Sequence, residues 1–399
     1  GFDMKKYKIG ILGATGAVGQ EMLKMLDEYN IPIEELRLLA SARSAGTAVS
    51  FRGSEILLKE AADSAFEGLD FVLGAVEGDM SKKFAPAIKA SGAVYIDNSS
   101  AFRLCEDVPL VVPEINGEDA LTNSGIIANP NCCTIIALMA VAALNRISPI
   151  QSINACTYQA VSGAGQAGLA ELDNQIKALA NGEKPEVKTF ATQIAMNVIP
   201  FIDAPTDNGY TKEEMKMQNE GRRILHNPEL RANCTCVRVP VMRSHSIALT
   251  VKTADRISIE DANSAISKFP GVRLVENYEG RCYPTPLDTA NQDLVWVGRI
   301  REDLTDENGL TLWCCGDQIR KGAAANAVQA VIFGLMHGVM FFSLVGTVQA
   351  IVILLFTTAI AWFMGYINEK KAEGSIVPSW LIHAVSNIFS GLCAAFSVF

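Results

Sequence analysis

Apolar and polar positions fall into short blocks along the first third of the chain, and the blocks alternate in period. Tyr7 to Leu12 is a mainly apolar run that stops at Gly13-Ala14-Thr15-Gly16-Ala17-Val18-Gly19. Gln20 to Tyr29 then spaces its apolar residues as an amphipathic helix does. Strand-like runs recur at Leu36 to Ala40, Phe71 to Val76 and Ala93 to Ile96, with a helical stretch around Ser81 to Ala90. Strands alternating with helices predict a doubly wound α/β fold around a parallel sheet. A denser apolar helix, Ile135 to Leu144, follows the tight polar turn Asn129-Pro130-Asn131-Cys132-Cys133-Thr134. The pattern changes character near Ala330. Gly322 to Ile367 and Ser375 to Phe399 contain no Asp, Glu, Lys or Arg. Such stretches lack the polar face of a soluble helix, and about twenty apolar residues span a bilayer. They predict a hydrophobic helical tail: two short segments broken near Gly346, then a third from Ser375 to Phe399. That count keeps Lys370 and Lys371 on the same side as the main body of the chain.

The glycine-rich turn lies between a strand and a helix, the context in which glycines let the backbone approach a pyrophosphate at a helix start. Gly13, Thr15, Gly16, Ala17 and Val18 are the residues placed to do so. An acidic residue usually meets the ribose 2′-hydroxyl of NAD at the end of the second strand. Here Ser41, Arg43 and Ser44 stand there instead, which suits a 2′-phosphate and favours NADP. The run ending at Ile96 leads into Asp97-Asn98-Ser99-Ser100-Ala101-Phe102-Arg103. That brings Arg103 toward the carboxyl ends of the strands, where ligands gather.

Composition narrows the function. A chain of 399 residues has room for two or three domains, and its net charge of −9 argues against nucleic acid as an electrostatic partner. No charged segment with a following apolar stretch and cleavage site opens the chain, an argument against secretion. The ten cysteines follow no disulfide framework and include no CxxC pair, so we expect a reducing cytoplasm and no metal site. Cys132 instead has the setting of a nucleophile. Unsatisfied N–H groups at a helix start favour negative charge, and the thiolate is the reactive form. Three further segments combine polar groups with apolar surroundings: Tyr158 to Gly165, the pair Glu213 and Lys216 three residues apart, and Arg238 to Ser246. The last holds His245, one of four histidines and a natural proton carrier near neutral pH.

Taken in order, GATGAVG, SARSAG, NSSAFR, NPNCCT, TYQAVSGAG, VRVPVMRSHS and IRKGAAANAVQ resemble aspartate-β-semialdehyde dehydrogenase over about residues 8–329. The resemblance implies NADPH-dependent reduction of L-aspartyl-4-phosphate to aspartate semialdehyde and phosphate, serving lysine, threonine and methionine synthesis. It implies a Rossmann domain over 1–132, completed by a helix at about 317–332. An α+β substrate and dimerisation domain would cover 133–316 of a homodimer, and the tail 333–399. Carried onto this chain, Cys132 attacks the acyl phosphate, His245 takes and returns the thiol proton, and Gln159 orients the carbonyl. Arg238 holds the substrate carboxylate, Glu213 its ammonium, and Arg103 and Lys216 the phosphate; Asn131 and Ser162 complete the substrate contacts. Gly163 and Asn326 belong beside the nicotinamide. The related N-acetyl-γ-glutamyl-phosphate reductase is the alternative enzyme, and a membrane-tethered inactive scaffold the alternative of another class. Intact Cys132, Gln159, Arg238 and His245 argue against the scaffold.

The tail is similar to the C-terminal part of the CAAX-protease-like, bacteriocin-processing membrane family. Phe333/His337 and His383/Asn387 each stand one helical turn apart. That family's upstream Glu-Glu-x-x-x-Arg motif has no counterpart here. Without a base to activate water, the tail is expected to be an anchor or a joined fragment rather than a protease.

Overall fold

The computed structural model describes residues 6–277 and 279–334, and the expected tail from 335 onward lies outside them. Eight strands build the first half: β1 (Tyr7–Leu12), β2 (Ile33–Ala40), the hairpin β3 (Ala48–Phe51) and β4 (Ser54–Leu57), β5 (Lys59–Glu60), β6 (Phe71–Gly74), β7 (Val94–Asp97) and β8 (Ile126–Ala128). Six of them form one sheet in the order β5-β2-β1-β6-β7-β8, and every pairing in it is parallel. The central strands are apolar on both faces because helices cover both: Ile9, Ile11, Leu38, Leu39, Val72 and Leu73 are all buried. The chain order reverses beside β1, which makes a crevice at the carboxyl ends of these strands.

The second half adds β9 (Ile150–Gln159), β10 (Arg231–Arg238), β11 (His245–Thr253), β12 (Val272–Leu274), β13 (Val295–Glu302) and β14 (Gly309–Gly316). They form a mixed sheet, β10-β9-β11-β14-β13-β12. Its register places the chemistry. Arg238 of β10 lies opposite Gln159 of the parallel β9, and the antiparallel β11 starts at His245, one residue before the Ser246 that faces Tyr158. The last residues of two strands and the first of a third therefore meet at one sheet end.

The Cys132–Ile147 helix packs against the second sheet and against the Lys212–Ile224 and Ile259–Lys268 helices. Every residue from Cys133 to Leu144 is buried, which explains an apolar sequence on all faces. Asn131 starts the helix: its Oδ1 accepts from the N–H groups of Cys133 (3.0 Å) and Thr134 (3.2 Å). Ser148, followed by Pro149, stops it. Cutting a fully buried side chain such as Leu138 to alanine costs about 2–5 kcal/mol. The Ala325–Gly334 helix packs on the Ala17–Glu28 helix and on β6 and β7, within the first half of the fold.

Candidate active site

Cys132 lines a cleft of about 410 Å³. Val18 of the Ala17–Glu28 helix and Ala75 and Val76, just after β6, line the same cleft from the first half, and Gln159 and Arg238 line it from the second sheet. Arg103, Asn131, Gly163, Glu213 and Lys216 complete the part that sequence reasoning had singled out. His245 is fully buried, with Nε2 about 3.6 Å from where a Cβ on Gly163 would sit. One ligand atom each of Cys132, Cys133 and His245 lie within 4.8 Å of one another.

The helix that starts at Lys212 supplies the charged wall. Thr211 and Glu214 form a reciprocal capping box that fixes its first turn. Glu213 Oε1 accepts from Asn131 Nδ2 (3.1 Å) and Gln159 Nε2 (3.2 Å), while Oε2 pairs with Lys216 Nζ at 2.7 Å. Burial pushes the Glu213 carboxyl up, but Lys216 and these two amides outweigh it and hold it down to about 2. Lys216, which also reaches Asp203 at 3.2 Å, is raised above its ordinary value against the opposing effect of burial. Gln159 is fixed at both ends, because Thr157 Oγ1 donates to its Oε1 at 2.9 Å.

Arg103 is buried and spreads its donors over Asn129 O (2.9 Å), Asn98 O (2.9 Å) and Glu220 Oε1 (3.2 Å). Glu220 also accepts from the Asn131 N–H at 2.6 Å, so it ties the nucleophile's turn to Arg103. Burial holds its carboxyl above the ordinary value even with Arg103 against it. Sequence reasoning missed Glu220. Its signal was the spacing of Glu213, Lys216 and Glu220, three and then four residues apart on one helix face. Arg238 is buried and donates Nη1 to Ala160 O at 2.8 Å. Burial lowers its affinity for a proton. Ser162 is buried and accepts from Gln318 Nε2.

The His245 ring is oriented by the backbone. Ala160 N–H donates to Nδ1 at 3.0 Å, which places the proton of the neutral ring on Nε2. Nε2 has no hydrogen-bond partner among the described residues. The ring therefore offers a donor in its neutral form, whereas the resemblance implied an acceptor for the thiol proton. Ser244, just before it, takes a left-handed φ of +79°, held by Gln318 Oε1 on its N–H and by Thr289 on its hydroxyl.

Cys132 itself is held well below the ordinary thiol value. The thiol of Cys133 is the largest cause and His245 adds to it, against the opposing effect of burial. Burial pushes the Cys133 thiol well up, and its contact with Cys132 pushes further. The nine cysteines among the described residues are free thiols.

The cofactor side fits a pyrophosphate. Gly13, at φ +87°, has no room for a side chain: a Cβ would lie 2.4 Å from Ala75 O. At Gly19 a Cβ would lie 2.3 Å from Gly13 O. The turn is thus folded tightly onto the start of the Ala17–Glu28 helix, leaving Thr15 and Gly16 exposed. Gly13 N–H and Ala14 N–H bond to Leu39 O, which sets the turn beside the Ser41–Ser44 loop. Arg43 is exposed there and makes no hydrogen bond or ion pair among the described residues. Asn326 is placed differently from the expectation. It is fully buried, with Nδ2 on Val111 O (2.9 Å) and Asn129 Oδ1 (2.7 Å), and Oδ1 accepting from Lys321. It reaches the cleft only through Asn129, whose Nδ2 donates to Asn98 Oδ1.

Comparison with known proteins agrees with this geometry. Residues 8–123 match the family described as semialdehyde dehydrogenase, NAD binding domain, and residues 141–321 its dimerisation domain. The aspartate-semialdehyde dehydrogenase of Synechocystis is 48% identical over 322 residues, covering 81% of this chain and 95% of that protein. The chain belongs to the aspartate-semialdehyde dehydrogenase family. A solved structure of aspartate semialdehyde dehydrogenase II from Vibrio cholerae superposes with a TM-score of 0.81 at 42% identity. It covers 84% of this chain and 99% of that one, and a second structure of it, complexed with ASA, matches equally.

A third family, Type II CAAX prenyl endopeptidase Rce1-like, matches residues 308–389. It overlaps the dehydrogenase match at 308–321, where β14 is built into the second sheet between β11 and β13. Those shared residues are part of the dehydrogenase fold. The tail's expected segments, and His337 and His383 with them, lie outside the described residues. Among the described residues no helix is long and apolar enough to cross a membrane.

Proposed function

We propose that the chain is an NADP-dependent, phosphorylating aspartate-semialdehyde dehydrogenase that works through a thioester on Cys132. The reading is carried by the convergence of Cys132, Gln159 and Arg238 on one cleft that Val18 of the glycine-rich turn also lines, with the buried His245 ring within 4.8 Å of the Cys132 sulfur. Cys132, whose thiol is held well below its ordinary value by Cys133 and His245, attacks the acyl carbon of L-aspartyl-4-phosphate as the thiolate. The carbon–oxygen bond to phosphate breaks, and phosphate leaves with the electron pair. NADPH, when bound, supplies the hydride that reduces the thioester. His245 Nε2–H steadies the oxygen as it turns anionic. The carbon–sulfur bond then breaks, releasing the semialdehyde and restoring the thiolate.

The remaining residues position the substrate. Arg238 presents its guanidinium to the α-carboxylate, a planar fork that lysine lacks. Glu213, anionic at any working pH, meets the ammonium. Arg103, Lys216 and Asn131 line the phosphate end. Thr15, Gly16, Ala17, Val18, Ser41, Arg43, Ser44 and Gly163 would hold NADP; at Gly163 a Cβ would lie 2.8 Å from Arg238 Nη1. The dimerisation-domain match supports a homodimer.

Phosphate-dependent reduction of NADP with aspartate semialdehyde tests the reading against N-acetylglutamate semialdehyde. Turnover of only the second would replace it. Cys132→Ala should abolish turnover and leave NADP binding intact. Membrane attachment of this enzyme through the residues after 334 is supported by the absence of Asp, Glu, Lys and Arg up to Ile367 and again from Ser375 to Phe399. Fractionating the full chain against a version stopped after Gly334 tests it, and identical partition would refute it.

A further inference from the structure

Asn131, the residue before Cys132, is clamped twice by one helix. Its side-chain Nδ2 donates to Glu213 Oε1 at 3.1 Å, and its backbone N–H donates to Glu220 Oε2 at 2.6 Å. Glu220 is only 2% exposed, and its other oxygen takes Arg103 Nη1 at 3.2 Å. Both oxygens therefore accept, one from the arginine at the phosphate end and one from the backbone that starts the Cys132 helix. A guanidinium has five N–H donors. Arg103 spends one on each nitrogen: Nε on Asn129 O, Nη1 on Glu220 and Nη2 on Asn98 O. One N–H is left on each terminal nitrogen, a pair that can grip a phosphate through two bonds.

We propose that Glu220 is a positioning residue for phosphate, holding the Arg103 guanidinium in register with the start of the Cys132 helix. This rests on the reading of Arg103 as a phosphate ligand. Arg103, Asn131 and Cys132 all line the same cleft. The carbonyls on Arg103 are neutral, and Glu220 is its one ion-pair partner among the described residues. Lys216, the other cation of the phosphate end, has its own carboxylates in Glu213 and Asp203. Loss of Glu220 therefore leaves Lys216, Glu213 and the side-chain clamp on Asn131 in place. It frees Arg103 Nη1 and breaks the tie between Arg103 and the nucleophile's turn. Charge alone argues the other way, because removing an anion beside Arg103 would strengthen its attraction for phosphate. Aim and charge thus have opposite signs on phosphate affinity, and the bridging geometry favours aim.

The test is steady-state kinetics of the full chain in the phosphate-consuming direction, with aspartate semialdehyde, NADP and inorganic phosphate. Wild type is compared with Glu220→Gln, which keeps the shape and one acceptor, and with Glu220→Ala, which leaves a space that formate can enter. KM for phosphate should rise about tenfold in both, while KM for the semialdehyde and for NADP stay within about twofold. Formate should bring the phosphate KM of Glu220→Ala back toward wild type and leave that of Glu220→Gln where it is. A merely structural ion pair would show no such rescue. A phosphate KM that is unmoved or lowered overturns the proposal, the lowered value marking charge as the larger effect. So does a common rise in all three Michaelis constants, an alanine variant that formate does not rescue, or failure of both variants to fold. Wild type whose turnover does not depend on phosphate would instead strike the reading of the reaction itself, so the two failures are distinguishable.

Discussion

Lys216 Nζ stands 2.7 Å from Glu213 Oε2, and that contact links the substrate wall to acid stability. Glu213 falls from an ordinary 4.5 to about 2 in the folded chain, so the unfolded chain binds its proton first. Its contribution, on the order of 3 kcal/mol, is present above pH 4.5 and is lost as pH falls toward 2. Glu213→Gln should flatten the fall of urea stability over that window relative to wild type. Parallel curves would show that the pair contributes nothing.

Arg238 is buried in the cleft wall and spends one donor on Ala160 O. Arg238→Lys keeps a positive charge but not the planar fork. KM for aspartate semialdehyde should rise about 10- to 100-fold while kcat changes less and the melting temperature holds. A KM within twofold of wild type would remove Arg238 from carboxylate binding.

Gly13 combines φ +87° with a carbonyl 2.4 Å from any added Cβ. Gly13→Ala should cost ~1–3 kcal/mol and weaken NADP binding more than it weakens binding of the semialdehyde. Melting curves and a fluorescence titration with NADPH measure both. Unchanged NADPH affinity would place the pyrophosphate elsewhere.

Much of this was legible in the chain. The strand from Tyr7 to Leu12 appears at its expected bounds, because an apolar run closed by glycine has few alternatives. The parallel sheet followed from strand–helix alternation. The helix expected over Ile135 to Leu144 begins earlier, at Cys132, since Asn131 caps it. Periodicity does not register the polar first turn. The meeting of Gln159, Arg238 and His245 was not legible from spacing, because it depends on sheet register between distant strands. The resemblance supplied it. Asn326 was expected beside the nicotinamide, but its amide is committed to Val111 and Asn129, a saturation no sequence motif reveals. The tautomer of His245 was also hidden, for it is set by one backbone N–H from another strand's end.

That tautomer has a spectroscopic signature. The ¹⁵N spectrum of histidine-labelled protein, with His245→Gln used to assign one of four rings, should show a protonated Nε2 and an unprotonated Nδ1 at neutral pH. A proton found on Nδ1 would return His245 to the role of acceptor.

The central claim is that the acyl group passes through the sulfur of Cys132. Mixing the enzyme with L-aspartyl-4-phosphate without NADPH, quenching in acid and mapping the peptides by mass spectrometry tests it directly. The account predicts one aspartyl group on the peptide starting the Cys132–Ile147 helix, assigned to Cys132, absent from Cys132→Ala, with phosphate released in equal amount. Phosphate release without an adduct, or an adduct on Cys133, would contradict it.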